Sequence, residues 1–254
     1  LLLNCGSDRQ ETPQFTEKEF WLTVWDGVRL DCSLFLPVGE APPDGFPLVI
    51  PVHGGGGNKT RVYAWRDTLI QHGYAVFAYS CRGQGKSEGA QNVEGTYRIQ
   101  DLKFIVDWLR TEADKHGAID KENIGTMGRS QGGQHGWMAA CFEMQIKTAI
   151  LGNASTSPLV FNNCIGRIWM RSYQSPNTRA DAARDTIVTW MRNRDRAALL
   201  KRPRMKFIRE NIHRISVPVF LTTAWLDQAF WGNLYLEHYE KIKAPKKMYI
   251  GTGG

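Results

Sequence analysis

The chain has 254 residues, of which 42% are hydrophobic and 22% are charged, and its net charge is +7. This apolar share can fill a sizeable core, which excludes a disordered chain, a collagen-like repeat and a coiled coil. The five cysteines form no CxxC pair and no ligand spacing with histidine, so neither a zinc module nor a disulfide-rich scaffold is indicated. No run of about 18 apolar residues is present that would span a membrane. We expect one large α/β domain that requires no metal or cofactor.

The first residues resemble the end of a bacterial lipoprotein signal. Three leucines run into Asn4 and Cys5, and a small polar stretch follows. In such signals the cysteine is lipidated and becomes the first residue of the mature protein. Asn4 departs from the pattern, and the alternative is the start of an ordinary strand or linker. On the first interpretation residues 1–19 are a linker, and the protein is a periplasmic or cell-envelope lipoprotein anchored at Cys5. The alternative location is the cytoplasm.

Short apolar segments then alternate with amphipathic ones, which predicts a mostly parallel sheet flanked by helices. Phe20–Leu36, with Asp26-Gly27 at its centre, predicts an antiparallel hairpin. Helices are predicted at Trp65–His72 and around an apolar stripe at helical spacing. That stripe consists of Leu102, Ile105, Val106 and Leu109. The predicted strands after the hairpin are Pro47–His53, Tyr74–Tyr79, Asn123–Met127, Lys147–Leu151, Val217–Thr223 and Lys246–Thr252.

Residues 161–214 interrupt this alternation with helical patterns and no convincing strand, so we interpret them as an inserted helical cap. The cap holds thirteen Lys and Arg against four Asp and Glu, a net charge of +9. The core consists of residues 20–160 and 215–254, and the whole chain outside the cap has a net charge of −2. Together with Trp169, Trp190 and Phe207, the basic cap suggests as one alternative a catalytically inactive protein that binds anionic ligands. We favour a solvated cap whose Arg stems cover apolar surface, and we expect no nucleic-acid partner.

The segment Gly128-Arg129-Ser130-Gln131-Gly132 lies between a predicted strand and a predicted helix. In such an elbow the serine backbone is strained and its side chain projects above the sheet, while larger residues at both glycines would collide with neighbouring turns. The helix N-terminus directs its N–H groups at the place where an oxyanion would develop. The alternative is a glycine-rich turn. The context favours Ser130 as a nucleophile.

A glycine run, Gly54–Gly57, directly follows His53 and an earlier buried strand. Such a run lets backbone N–H groups approach a substrate carbonyl closely. We predict an oxyanion hole from the N–H groups of Gln131, Gly54 and Gly55, and we expect His53 to be structural. The alternatives are a flexible loop and a phosphate cradle. The second alternative is weak, because no glycine directly precedes Lys59.

A serine nucleophile in this fold needs an acid and a histidine, which follow it in that order. Asp227, shortly after the predicted strand Val217–Thr223, stands where the acid belongs, and the alternative is a solvated loop residue. His238 is a poor base, because it lies in a predicted helix that would direct it away from the elbow. The base is expected after the last strand, so we place it beyond Gly254. The remaining histidines have no placement argument: His72, His116, His135 and His213.

Several motifs, taken in order, carry a resemblance to a known family. They are Trp25–Leu30, Arg82–Gly89, Ile105–Leu109, Gly128–Gly133, Ser216–Pro218 and Trp225–Asp227. From about Phe20 onward the chain resembles the catalytic domain of the X-Pro dipeptidyl-peptidase and cocaine esterase family of α/β-hydrolases. The resemblance implies a Ser-Asp-His hydrolase with a helical cap, often followed by a β-sandwich domain. Ser130 then resembles the nucleophile and Asp227 the acid.

The chain departs from the family pattern at three places. Gln131 stands where members often have Tyr, and the Gly54–Gly57 run replaces a loop whose Tyr hydroxyl often serves the oxyanion hole. Ser80 replaces the usual Asp before Arg-Gly. We therefore expect hydrolysis of a small ester, amide or short peptide without committing to X-Pro peptides. A general carboxylesterase and a relative of the prolyl oligopeptidases are the alternatives, and residues 1–254 alone are expected to be nearly inactive.

Overall fold

A computed structural model places most of the predicted elements. It describes residues 14–91, 96–112, 115–154, 179, 183–195, 197–198, 208–227, 230 and 232–252. Within these ranges one sheet contains the strands β1 (Phe15–Thr23), β2 (Arg29–Pro37), β3 (Phe46–Val52), β4 (Ala75–Tyr79), β5 (Ile119–Arg129), β6 (Thr148–Gly152), β7 (Val219–Ala224) and β8 (Lys246–Gly251). The α-helices are α1 (Tyr63–Gln71), α2 (Thr96–Glu112), α3 (Gln131–Cys141), α4 (Ala183–Arg192) and α5 (Gly232–Lys241).

The strand order is β1-β2-β4-β3-β5-β6-β7-β8. Strands β1, β2 and β4 pair antiparallel, and all other pairs are parallel. The antiparallel N-terminal hairpin and the mostly parallel sheet are therefore confirmed. Strand β1 begins at Phe15, five residues before the predicted start, because Phe15 still pairs with Pro37. Strand β5 starts at Ile119, ahead of the predicted Asn123, because its pairing with β3 shifts register at Pro47 and Leu48.

The core lies on both faces of the central strands. All five residues of β4 are buried, as the apolar run predicts. The stripe predicted on α2 is confirmed, since each of its four members is at most 1% exposed. Every residue of α3 is buried as well. Full burial of one such aliphatic side chain stabilises the fold by about 1.5–3 kcal/mol. The buried side chains of β4, α2 and α3 therefore stabilise the central part of the sheet.

Loop positions follow from the strand order. Strands β3 and β5 are neighbours in the sheet. The chain continues from β3 to β4 on one side of this pair and from β5 to β6 on the other side. The loops after β3 and β5 therefore diverge and leave a crevice at the carboxyl ends of these strands, where open α/β sheets bind ligands. The glycine run follows β3 and Ser130 follows β5, so both predicted parts of the site border this crevice.

Several predictions fall wholly or partly outside the described ranges. Cys5 lies in residues 1–13, outside the described ranges, so its lipid attachment stays a prediction. Most of residues 161–214 also lie outside these ranges, so the helical cap stays a prediction as well. Parts of the cap that are described include α4 and the 3₁₀ turn Ile212–Arg214. Among the helices of the described segments, none has both the length and the apolar character that crossing a bilayer requires.

Candidate active site

Ser130 occupies a sharp junction between β5 and α3. Its backbone has φ 58° and ψ −120°, a left-handed conformation that serine rarely adopts. A Cβ on Gly132 would lie 1.9 Å from the Val52 carbonyl oxygen, and one on Gly128 would lie 2.4 Å from the Gly132 carbonyl carbon. Neither position has room for a side chain. The strained serine and the spatial need for both glycines, predicted from the sequence, are confirmed.

The predicted oxyanion donors lie beside this elbow. A Cβ placed on Gly54 would be 3.8 Å from the Ser130 Cβ, so the start of the glycine run touches the elbow. Gln131 is the first residue of α3, where an N–H has no partner within the helix. Across the described residues, no backbone acceptor is bonded to the N–H of Gln131, Gly54 or Gly55. Three donors are thus left for a group that enters from the crevice.

The second half of the glycine run is already engaged. Gly56 N–H donates to the Gln84 Oε1 at 2.9 Å, and Gly57 N–H donates to the Gly54 carbonyl at 3.2 Å. A Cβ on Gly57 would lie 3.0 Å from the His53 Nδ1, so this residue is tightly packed. These contacts hold the run as an ordered turn, in contrast to the flexible loop that the sequence left open.

His53 links β3 to the segment after β4. Its ring is 1% exposed, and its Nε2 accepts the Cys81 N–H at 3.0 Å. The proton therefore resides on Nδ1, which donates to the Gly54 carbonyl at 2.7 Å. Burial lowers the pKa of His53 to about 4. Both nitrogens are occupied in a neutral ring, which fits the structural role expected for this residue.

Asp227 is held by groups that the sequence did not single out. The Asn153 Nδ2 donates to the Asp227 Oδ2 at 2.7 Å, and Phe230 N–H donates to the Oδ1 at 3.0 Å. The Asn153 carbonyl also accepts the Ser130 N–H at 3.1 Å. Asn153 has φ 33°, a conformation that asparagine tolerates better than most residues. This residue, directly after β6, joins the predicted nucleophile to the predicted acid.

Two histidines from other elements lie near helix α3, at a distance from the elbow that precedes its N-terminus. The His238 ring is 3% exposed and packs edge-on against Trp137, with ring centroids 5.9 Å apart. His213 is exposed in the 3₁₀ turn whose Arg214 reaches Glu143 at 3.6 Å, just after the C-terminus of α3. Ser130 precedes the N-terminus of this helix.

Three further histidines make other contacts. His116 stacks on Phe20 with ring centroids 5.3 Å apart, before the start of β5 and hence at the opposite end of that strand from Ser130. His72 Nδ1 lies 2.8 Å from a carbonyl of helix α1. His135 is buried inside α3, with its Nδ1 2.8 Å from the Gln131 carbonyl. All six histidines are described, and the contacts named above do not include the side chain of Ser130 or Asp227.

A cleft of about 350 Å³ opens at the carboxyl ends of β5 to β8. It is lined by Arg129, Asn153, Thr222, Thr223, Ala224, Tyr249, Gly251 and Thr252. Its position next to the elbow makes it accessible to a substrate that reaches Ser130. In the described segments, no group of three His, Cys, Asp or Glu side chains is arranged to hold a metal ion.

Comparisons with known proteins agree with this geometry. The family model of the X-Pro dipeptidyl-peptidases (S15 family) matches residues 26–160, just over half of the chain. This match includes Ser130 but ends before Asp227. The thiohydrolase aneE of Aspergillus aculeatus is 34% identical over 153 residues, which cover 59% of this chain and 43% of the relative. The chain spans less than half the length of the curated relatives it matches.

Solved structures establish the fold. The esterase Pf2001 of Pyrococcus furiosus superposes with a TM-score of 0.66 at 19% identity, covering 94% of this chain and 81% of that one. The acylaminoacyl peptidase of Pyrococcus horikoshii gives a TM-score of 0.69 at 19% identity, covering 97% of this chain and 38% of that one. The predicted α/β-hydrolase fold is confirmed.

Proposed function

Because the chain belongs to the X-Pro dipeptidyl-peptidase (S15) family, we propose that it is a serine hydrolase that cleaves ester or amide bonds through an acyl-enzyme on Ser130. The observation that carries this proposal is the elbow. Ser130 is held in a left-handed conformation beside three N–H groups that have no backbone acceptor among the described residues. A serine placed in this way presents its Oγ to an acyl carbon while the N–H groups face the carbonyl oxygen.

The reaction needs a base that accepts the Ser130 proton. In the proposed first step, the Oγ attacks the acyl carbon, a histidine takes the hydroxyl proton, and the N–H groups of Gln131, Gly54 and Gly55 stabilise the oxyanion. The histidine then gives this proton to the leaving alcohol or amine. Water attacks the acyl-serine in the second step, its proton passes to the same histidine, and the acid is released as Ser130 recovers its proton.

We assign the triad acid to Asp227 and the base to a histidine that follows β8. The hydrogen bonds from Asn153 and Phe230 leave Asp227 fixed near the crevice. In this fold the base follows the last strand of the sheet, and the contacts described above for the six histidines of residues 1–254 do not include Ser130 or Asp227.

The substrate class is an ester, a thioester or an amide of small size. The relative from Aspergillus aculeatus is named a thiohydrolase, which adds thioesters to the substrates worth testing. Gln131 and the glycine run replace tyrosines that members of the family often use, so X-Pro peptides are one candidate among several. Substrate choice depends on the loops and the cap, which the fold does not determine.

The full-length protein encoded by the gene would be assayed with p-nitrophenyl esters, acyl thioesters and Xaa-Pro anilides. Ser130→Ala should lower kcat by at least about 10³-fold, because no other group can form the acyl-enzyme. Ser216→Ala, at an exposed serine before β7, is the matched control and should retain activity. A fluorophosphonate should label the wild type at Ser130. Undiminished turnover in Ser130→Ala would remove this serine from the mechanism.

A further inference from the structure

The loop after β4 forces one glutamine into the interior. Gly83 and Gly85, on either side of Gln84, have φ values of 72° and 55°. A Cβ on Gly83 would lie 2.1 Å from the Gln91 backbone nitrogen, and one on Gly85 would lie 2.7 Å from the Asn58 Cβ. Only glycine fits at either position. The two glycines thus build a tight turn whose central residue, Gln84, is completely buried.

Gln84 bonds to both halves of the proposed oxyanion hole. Its Oε1 accepts the Gly56 N–H at 2.9 Å, and its Nε2 donates to the Gln131 Oε1 at 2.9 Å. Gly56 belongs to the run after β3, and Gln131 begins helix α3 after β5. These two segments are otherwise carried by different strands. One amide side chain, with one acceptor and one donor in use, spans the gap between them.

The turn that carries Gln84 is held by backbone hydrogen bonds to Arg179. The Arg179 N–H donates to the Gly83 carbonyl at 2.9 Å, and the Arg179 carbonyl accepts the Gln91 N–H. The Gln91 side chain makes a longer contact of 3.4 Å with the same Gln131 oxygen. The backbone of Gln84 is itself bonded on both sides, since its N–H donates to the Cys81 carbonyl at 3.0 Å and its carbonyl accepts the Ser87 N–H at 3.1 Å.

We propose that Gln84 is a positioning residue of the oxyanion hole, an inference that rests on the serine-hydrolase function proposed above. By holding the Gly56 N–H, it sets the direction of the preceding Gly54 and Gly55 N–H groups. By holding the Gln131 side chain, it sets the start of α3 and hence the Gln131 N–H. Catalytic stabilisation of an oxyanion requires donors that are oriented before the reaction starts. Gln84 supplies this orientation without touching the substrate.

The test uses isosteric variants of the full-length protein. Gln84→Met removes both hydrogen bonds of Gln84, and Gln131→Met removes the oxygen that accepts from Gln84 and, at a longer distance, from Gln91. The matched control is Gln145→Met, at an exposed glutamine on the turn after α3. We expect Gln84→Met to lower kcat by about 10–100-fold with KM within about twofold of the wild type, since complete loss of an oxyanion donor costs about 10²–10³-fold. Gln131→Met should lower kcat by a smaller factor than Gln84→Met does. The control Gln145→Met should keep the wild-type kcat.

Fluorophosphonate labelling separates orientation from folding. The final extent of Ser130 labelling counts folded sites, whereas the labelling rate depends on the oxyanion hole that receives the phosphonyl oxygen. Full labelling at a reduced rate in Gln84→Met would support the proposal. In the double variant, the two losses should not multiply, because both remove the same bond.

Three results would overturn the inference: a wild-type labelling rate and kcat in folded Gln84→Met, independent losses in the double variant, or an equal loss in Gln145→Met. If Gln84→Met does not fold, an unchanged kcat in Gln131→Met would overturn it instead. Failure of the proposed function would be recognised separately. In that case Ser130→Ala would retain turnover and the wild type would not be labelled at Ser130.

Discussion

Two polar clusters extend from the loop after β4, from its buried residues Arg82 and Gln84, and they differ in charge. The first is ionic: the Arg82 guanidinium bonds to Asp101 at 2.6 and 2.7 Å and to Asp26 at 2.8 and 3.1 Å. The second is neutral and begins two residues later with Gln84, which bonds to Gly56 and Gln131. His53, also uncharged, belongs to this second cluster through its bond to the Gly54 carbonyl.

This difference separates stability from catalysis. In the ionic cluster, opposite charges compensate each other in the interior, where an unpaired charge would be costly. The neutral cluster adjoins the proposed oxyanion hole, where a fixed anion would compete with the substrate oxyanion for the N–H groups. Neutral amides can orient donors and add no net charge. We therefore expect changes in the first cluster to affect unfolding and changes in the second to affect turnover.

The largest effect on stability is expected from Arg82→Met. This change leaves Asp101, which is 1% exposed, without its guanidinium. Burial already raises the pKa of Asp101 and Arg82 opposes that rise, so the variant either buries a bare carboxylate or protonates it. Loss of one partner of a buried pair costs about 3–5 kcal/mol. Urea unfolding measures this change, and kcat per folded molecule should stay near the wild-type value.

Arg29→Met is the matched control for this prediction. Arg29 bonds to Glu88 in an ion pair that is largely exposed. Exposed pairs contribute little to stability, so this variant should unfold close to the wild-type urea concentration. The separation of roles would be contradicted if Arg82→Met lowered kcat of the folded protein as much as Gln84→Met does.

A second prediction concerns acid and the neutral ring of His53. Its pKa is lowered by burial from 6.5 to about 4 in the folded state. The unfolded chain therefore binds the proton more tightly, and the contribution of His53 to stability is complete above pH 6.5 and is lost as the pH falls toward 4. The loss amounts to about 3 kcal/mol. His53→Gln, which keeps an acceptor for Cys81 N–H, should flatten the unfolding free energy across this range.

The control for this measurement is His72→Gln, which removes an exposed imidazole directly after helix α1. Urea unfolding at several pH values would be compared among the wild type and both variants. If the two variants lost the same pH dependence, protonation of His53 would not be the cause of the acid sensitivity.

The smallest effect is expected from Gln91→Met. Within the described part of the chain, the Gln91 Oε1 is buried with no hydrogen-bond partner, and its Nε2 makes a long contact of 3.4 Å to the Gln131 Oε1. Removal of an unsatisfied polar atom offsets the loss of a weak bond, so the free energy of unfolding should change by no more than about 1 kcal/mol. Thermal unfolding checks this. A large decrease in the unfolding temperature would contradict this prediction.

Local chemistry explains why much of the elbow is predictable. The positions of Gly128 and Gly132 around Ser130, between a buried strand and a helix, specify a turn that only small residues allow, and the structure has that turn. The buried strands and the stripe of α2 follow from apolar spacing alone. Each of these features depends on residues that are neighbours in sequence or that share one face of an element.

Contacts between distant segments were not predictable in the same way. Asn153 lies 74 positions from Asp227, and Gln84 lies 47 positions from Gln131. Asparagine and glutamine carry no charge pattern or periodicity that would assign them partners, and their pairing depends on the strand order. A positive φ at Asn153 gives a signal only after the backbone is known. The base histidine is different again, since its position was expected by analogy with the family.

The left-handed backbone of Ser130 has an evolutionary consequence. A non-glycine residue held at such an angle costs about 1–3 kcal/mol, and the surrounding segments enforce the angle whatever side chain is present. Glycine at this position would relax the cost, so selection for stability alone favours the loss of the serine. Only selection for turnover opposes that drift. A descendant that stopped hydrolysing its substrate would then be expected to become more stable as it lost its nucleophile.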